Sequence, residues 1–154
     1  MRRTLACLAL ALSMPASADI PEWQLISQTG RPGELIFWYV DVSSIVRTDQ
    51  HLRAFLRTSW TRPQIAPDGT PYQSSTYLNY FDCGNRKIAY TANTYYVTPE
   101  PQGEPVHAEP EQPLAALKFQ EVNPGSAGAK RLEFICKYRS KQILTHLREK
   151  SARG

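Results

Sequence analysis

Two alternating runs joined by a two-residue turn constrain this chain more than any other feature. Tyr72 to Cys83 (YQSSTYLNYFDC) and Arg86 to Val97 (RKIAYTANTYYV) are rich in aromatic and β-branched residues and alternate in polarity. Side chains on a strand point to opposite faces with a period of two, so each run reads as a half-buried strand. Gly84-Asn85 between them suits a tight hairpin turn with positive φ. The two strands are therefore expected to be antiparallel neighbours, with Ser75, Tyr77, Asn79, Phe81 and Cys83 on one face.

Further strands precede this hairpin. Glu22 to Thr29 is a short first one, closed by Gly30-Arg31-Pro32-Gly33, and Glu34 to Asp41 (ELIFWYVD) has the bulky composition that suits a pleated surface. His51 to Trp60 puts Leu52, Ala54, Leu56 and Trp60 on one face, and Arg53, Arg57 and Ser59 on the other. Phe55 interrupts that polar face, which predicts that it is partly covered. Pro63, Pro67, Asp68-Gly69 and Pro71 then mark a loop.

Composition changes over residues 98–113. The stretch Pro99 to Pro113 holds five prolines and four glutamates without a single Lys or Arg, so an extended or mobile surface loop is expected. Leu114 to Val122 reads as a last strand. Asn123-Pro124-Gly125-Ser126 then stops the chain and restarts it, with Ser126 as the cap of a helix through Ala127 to about Tyr138. On that helix Leu132, Ile135 and Cys136 share one side, and Lys130, Arg131 and Glu133 face elsewhere.

The N-terminus has three parts: a basic Met1-Arg2-Arg3-Thr4, an apolar block from Leu5 to Leu12, and Ala16-Ser17-Ala18 after Pro15. This is the pattern of a secretory signal cleaved after Ala18, against the plainer alternative of a short buried helix. Cys7 lies too early in the apolar block for a lipid-anchor site. Export leaves Cys83 and Cys136 as an even pair in an oxidising compartment, 53 positions apart and without metal-site or C-x-x-C spacing. A disulfide is the expected outcome.

Charge then separates by region. The 154 residues carry 18 Lys plus Arg against 14 Asp plus Glu, a balance that invites a nucleic-acid reading. Yet residues 137–154 alone hold six basic residues and one acidic one, while residues 19–136 hold ten basic and thirteen acidic. The basicity belongs to the leader and the tail, so no nucleic-acid partner is expected. Any affinity for anionic surfaces resides in Lys137, Arg139, Lys141, Arg148, Lys150 and Arg153. A chain of this length supports one domain, and its longest apolar run beyond the leader, Leu35 to Val40, is too short to span a bilayer.

Catalytic patterns are scarce. His51, His107 and His146 are far apart, and no H-E-x-x-H helix, G-x-S-x-G elbow or phosphate-cradling glycine loop occurs. Asp41, Asp49, Asp68 and Asp82 fall at strand ends or turns, where Asp commonly caps backbone groups. No enzyme, cofactor or metal site is expected. The aromatic strands offer two readings: sheet packing, better for Trp23, Trp38, Trp60 and Phe81, or a ligand groove lined by Tyr, with haem as one occupant.

With strands, cysteine pair and helix in place, the chain resembles the surface-adhesin protein E family of Gram-negative bacteria. The resemblance rests on Tyr39-Val40-Asp41-Val42-Ser43-Ser44-Ile45, Pro63-Gln64, Gly69 and Tyr72-Gln73-Ser74-Ser75. Leu78, Phe81-Asp82-Cys83, Arg86, Tyr95-Tyr96, Pro124-Gly125-Ser126 and Cys136 continue it in order. It covers about Trp23 to Cys136. It implies an α+β fold: an antiparallel sheet of about six strands, with one C-terminal helix packed on its concave face and tethered by the disulfide. It also implies an exported protein that binds host matrix proteins such as vitronectin and laminin. Three features depart from the family: no lipid-anchor site, an enlarged Pro/Glu-rich loop, and a basic extension.

The resulting expectation is a leader over residues 1–18, an adhesin E-like domain over 19–138 and a basic tail over 139–154. The protein would be a non-enzymatic binder in the periplasm or on the outer surface, with an edge strand through which a homodimer could form. The alternative is a periplasmic small-ligand (haem-like) binder that uses the aromatic concave face.

Overall fold

The computed structural model describes residues 20–138. Strands β1 (Trp23–Arg31), β2 (Glu34–Asp41), β3 (Val46–Thr48), β4 (His51–Ile65), β5 (Pro71–Asp82), β6 (Lys87–Tyr96), β7 (His107–Ala108) and β8 (Gln120–Glu121) form one sheet. Six of them follow the order β1-β2-β4-β5-β6-β7, and every pairing is antiparallel. Helix α1, described over residues 127–138, follows β8.

The turn chemistry explains the register. β1 and β2 join through Pro32-Gly33, with Arg31 opposite Glu34. A Cβ on Gly30 would lie 2.1 Å from the Glu34 carbonyl oxygen, so only glycine permits this approach. After β2 the chain leaves the sheet in a 3-10 turn, Val42–Ser44, and returns as β3 along the same edge of β4. Asp41 holds the step: its Oδ1 accepts from the backbone N–H groups of Glu22 (2.9 Å) and Ser43 (3.1 Å). Ser44 Oγ accepts from the Phe55 N–H at 2.8 Å, in the gap between the β2 and β3 ladders. The Asp-Val-Ser-Ser segment is thus a corner piece, as a cap-rich strand end should be.

Several elements differ from the sequence reading: β4 continues through Pro63 to Ile65 where a loop is expected, and the short strands β3 and β7 are additional. The β5–β6 connection spans Cys83 to Arg86, and its positive φ lies at Arg86, not at Gly84-Asn85. Asp82 Oδ1 and Oδ2 accept from the Asn85 backbone and side chain, which stabilises this wider turn. The expected last strand, Leu114 to Val122, contains a 3-10 turn at Leu114–Ala116 and only two strand residues, Gln120–Glu121.

The core lies between one sheet face and the helix. Val40, Leu52, Ala54, Leu56 and Phe81 pack against Leu132 and Ile135, and all are at most 3% exposed. Each large apolar side chain of this kind contributes about 1.5–3 kcal/mol on burial. Ser126 Oγ accepts from the Ala129 N–H at 3.1 Å and so caps α1 as expected. Cys83 and Cys136 are joined by a disulfide with Cα atoms 6.0 Å apart, which ties the helix to the end of β5 on the concave face.

Candidate functional site

The helix covers only part of the concave face. Beyond it, at the start of α1, a groove of about 400 Å³ remains open between the sheet, the Gln120–Val122 segment and helix residues Gly128 and Arg131. Its rim is aromatic: Trp38 from β2, Trp60 from β4, Tyr72 from β5, and Tyr90 and Tyr95 from β6. Trp60 meets Tyr72 edge-on at 5.2 Å, and Tyr72 meets Tyr95 edge-on at 4.8 Å, so the rings fix one another. The floor is polar, with Thr58, Ser75, Tyr77, Asn79 and Asn93.

A β-bulge in β6 makes this convergence possible. Tyr77 pairs with Asn93 but Leu78 with Thr91, leaving Ala92 as an extra residue with φ 49. One inserted residue reverses the alternation beyond it. Tyr90 before the bulge and Asn93 and Tyr95 after it therefore all face the groove.

One cation is set into the groove. Arg131 lies with its Cζ 4.4 Å over the Trp38 ring, and its Nη1 donates to the Tyr77 hydroxyl at 2.9 Å. The Tyr77 oxygen is 3.0 Å from Thr58 Oγ1. Burial raises the Tyr77 phenol above its ordinary value, opposed by the Arg131 charge and the hydrogen bonds from Thr58 and Arg131. Among the described residues no carboxylate lies within ion-pair distance of Arg131.

Around it three buried polar atoms lack a hydrogen-bond partner: Asn79 Oδ1, Asn93 Oδ1 and Arg131 Nε. Ser27 Oγ, Thr48 Oγ1, His51 Nδ1 and Arg57 Nε are in the same position elsewhere in the described residues, and each such group costs about 1–3 kcal/mol unless a partner reaches it. At the outer end of the groove Asn93 Nδ2 donates to the Tyr95 hydroxyl at 2.6 Å, and that hydroxyl donates to Glu109 Oε1 at 3.3 Å. Burial, reinforced by the Glu109 charge, pushes the Tyr95 phenol up to about 12.

The opposite face is covered in part. Arg57, only 6% exposed, lies under Tyr39 (4.0 Å) and Trp23 (5.5 Å), and its Nη1 bonds Glu100 Oε2 at 2.9 Å. Ser59 Oγ donates to the Pro99 carbonyl and Ser74 Oγ to the Thr98 carbonyl. The start of the Pro/Glu-rich segment is therefore strapped across β4 and β5 over Arg57, Ser59 and Ser74, while Phe55 on the same face stays 44% exposed. Later residues continue the attachment: β7 pairs with β6, and the Gln112 N–H donates to Thr91 Oγ1 at 2.6 Å. A freely mobile loop is not what these contacts describe.

Of the sequence-derived site residues, Cys83 and Cys136 come together, and Lys137 is exposed on the helix. Arg139, Lys141, Arg148, Lys150 and Arg153, with His146 and the leader, lie outside the described residues. His51 stacks on Phe119, and His107 Nδ1 pairs with Asp68 Oδ2 at 3.1 Å, so the two serve separate contacts. Trp38 and Trp60 do more than pack the sheet, since both wall the groove. The sequence sets Arg131 apart from the Leu132, Ile135 and Cys136 side; the structure places it beside that side, against Trp38 and Tyr77. The i to i+4 spacing from Arg131 to Ile135 is the signal that places it there.

The family model for surface-adhesin protein E matches residues 23–137. The chain belongs to the surface-adhesin protein E family. A comparison with curated proteins gives no significant match. Among solved structures, Haemophilus influenzae protein E is similar at 14% identity and a TM-score of 0.54, covering 82% of this chain and 91% of that one. A second crystal form of that protein gives 13% identity and a TM-score of 0.53 over 75% and 96% of the two chains. At such identities the likeness establishes the shared protein E fold, and the groove residues must be argued from this chain alone.

Proposed function

We propose that this protein is an exported, non-enzymatic adhesin that binds host extracellular-matrix proteins at the bacterial surface. The observation that carries the reading is the surface-adhesin protein E match over residues 23–137. The physical features agree with it: a disulfide suited to an oxidising compartment, and no helix among the described residues long and apolar enough to cross a membrane. In this reading residues 1–18 are an export leader cleaved after Ala18, residues 19–138 the binding domain, and residues 139–154 a basic extension. β1, which among the described residues pairs only with β2, offers an edge along which a second copy adds. The test is solid-phase binding of the purified, oxidised protein to immobilised vitronectin and laminin. Saturable binding to either, lost on unfolding by reduction and urea, is expected. Binding no greater than to immobilised albumin would contradict the proposal.

A further inference from the structure

We propose that the concave groove is a binding site for an acidic saccharide, a sugar ring that carries a carboxylate. This goes beyond adhesion to matrix proteins and does not depend on it. The groove combines three chemistries that such a ligand requires. Trp60 and Tyr72 supply flat apolar surface for the C–H side of a sugar ring, while Trp38 carries the Arg131 guanidinium. The floor supplies hydroxyl and amide groups from Thr58, Ser75, Asn79 and Asn93, suited to sugar hydroxyls that both donate and accept. Arg131 supplies a positive charge whose planar fork matches a carboxylate.

Arg131 is already oriented for that role. The position of its guanidinium over the Trp38 ring and its Nη1 bond to Tyr77 fix the side chain, so little freedom remains to be lost on binding. Its Nε has no partner and no carboxylate of the described residues lies within ion-pair distance of it; Glu121, which also lines the groove, lies 3.9 Å from Lys87. Asn79 is 2% exposed, and its Oδ1 lacks a partner at the groove floor. A polar ligand that draws the Asn79 and Asn93 amides by small side-chain rotations relieves an existing deficit, whereas a purely apolar ligand would bury it further. The volume of about 400 Å³ accommodates one or two sugar rings, and the open side of the groove leaves room for the rest of a short chain.

Carboxylate sugars of the sialate and uronate types share this chemistry, and the test separates them. Titration calorimetry of the purified protein would use a sialic-acid-terminated trisaccharide, a galacturonate trisaccharide and lactose at constant ionic strength. At least one acidic saccharide is expected to bind with one-to-one stoichiometry and at least tenfold more tightly than lactose. Which one does so identifies the source. Arg131→Met should reduce the acidic ligand to the level of lactose, and Arg131→Lys should recover part of the difference. Trp60→Ala should weaken the acidic ligand at least fivefold through the lost stacking face, with circular dichroism confirming that each variant folds.

A full-length variant carrying Arg139→Gln, Lys141→Gln, Arg148→Gln, Lys150→Gln and Arg153→Gln should bind as the parent does. Equal binding of lactose and both acidic sugars, or no binding of any, would overturn the proposal. So would acidic binding that survives Arg131→Met in a folded protein, or that disappears with the tail cations alone.

Discussion

Arg57 and Glu100 meet at 2.9 Å although 43 residues separate them, with the arginine buried and the glutamate largely in solvent. That bond, with the two serine contacts beside it, fixes the Pro/Glu-rich segment to the back of the sheet. Because Glu100 is exposed, water screens the pair, and Glu100→Gln should cost only about 1 kcal/mol of global stability. Its larger effect is expected locally. Limited proteolysis should cut the variant within residues 98–113 several times faster than the parent, with the rest of the domain intact. An unchanged cleavage rate would show that the strap holds without Glu100.

The disulfide closes a loop over a sequence separation of 53. Chain entropy alone then contributes roughly 4 kcal/mol, because the open chain has many more unfolded conformations. Replacing both cysteines by Ala should lower the urea midpoint accordingly, and amide exchange over residues 127–138 should accelerate more than in β4 and β5. A fall in midpoint without that preference for the helix would contradict the tether's role.

Gly30 and Gly33 both have positive φ, at 104° and 84°, but differ in surroundings. A Cβ at Gly33 meets nothing within 4 Å, whereas one at Gly30 collides with the Glu34 backbone. Gly33→Ala should therefore cost about 1 kcal/mol, the backbone penalty alone. Gly30→Ala should cost at least about 2–3 kcal/mol, since the β1–β2 turn must open as well. Urea unfolding of the two variants gives the comparison directly.

Tyr95 predicts the response to alkali. Its folded phenol is raised to about 12 from an ordinary 10.0, chiefly by burial, so the neutral form is the one that folding favours. The stability linked to it is fully present below pH 10 and is lost as pH rises through 12. Urea midpoints measured from pH 8 to 12 should fall across that window, and Tyr95→Phe should flatten its share of the fall. A variant that loses stability as steeply as the parent would refute the assignment to Tyr95.

Much of the fold was legible because strand alternation, turn residues and a helix cap leave local marks. The range Glu34 to Asp41, the Ser126 cap and the cysteine pair required no tertiary information, and the family motifs supplied the helix position. The groove was less visible. Its composition depends on Ala92, whose positive φ reverses the face of Tyr95, and an alanine carries no sequence signal for a bulge. Arg131 has the charge of a residue on the polar side of the helix, and only its i to i+4 spacing to Ile135 points toward Trp38 and Tyr77. Glu100 reaches Arg57 across 43 residues, a pairing that composition reads only as a solvated loop.

The central claim is that this domain works outside the cell as a surface adhesin, and protease shaving of intact cells tests it most directly. The expected result is release of peptides from within residues 23–137, identified by mass spectrometry, before any marker of the periplasm appears. Peptides recovered only after the outer membrane is permeabilised would contradict it.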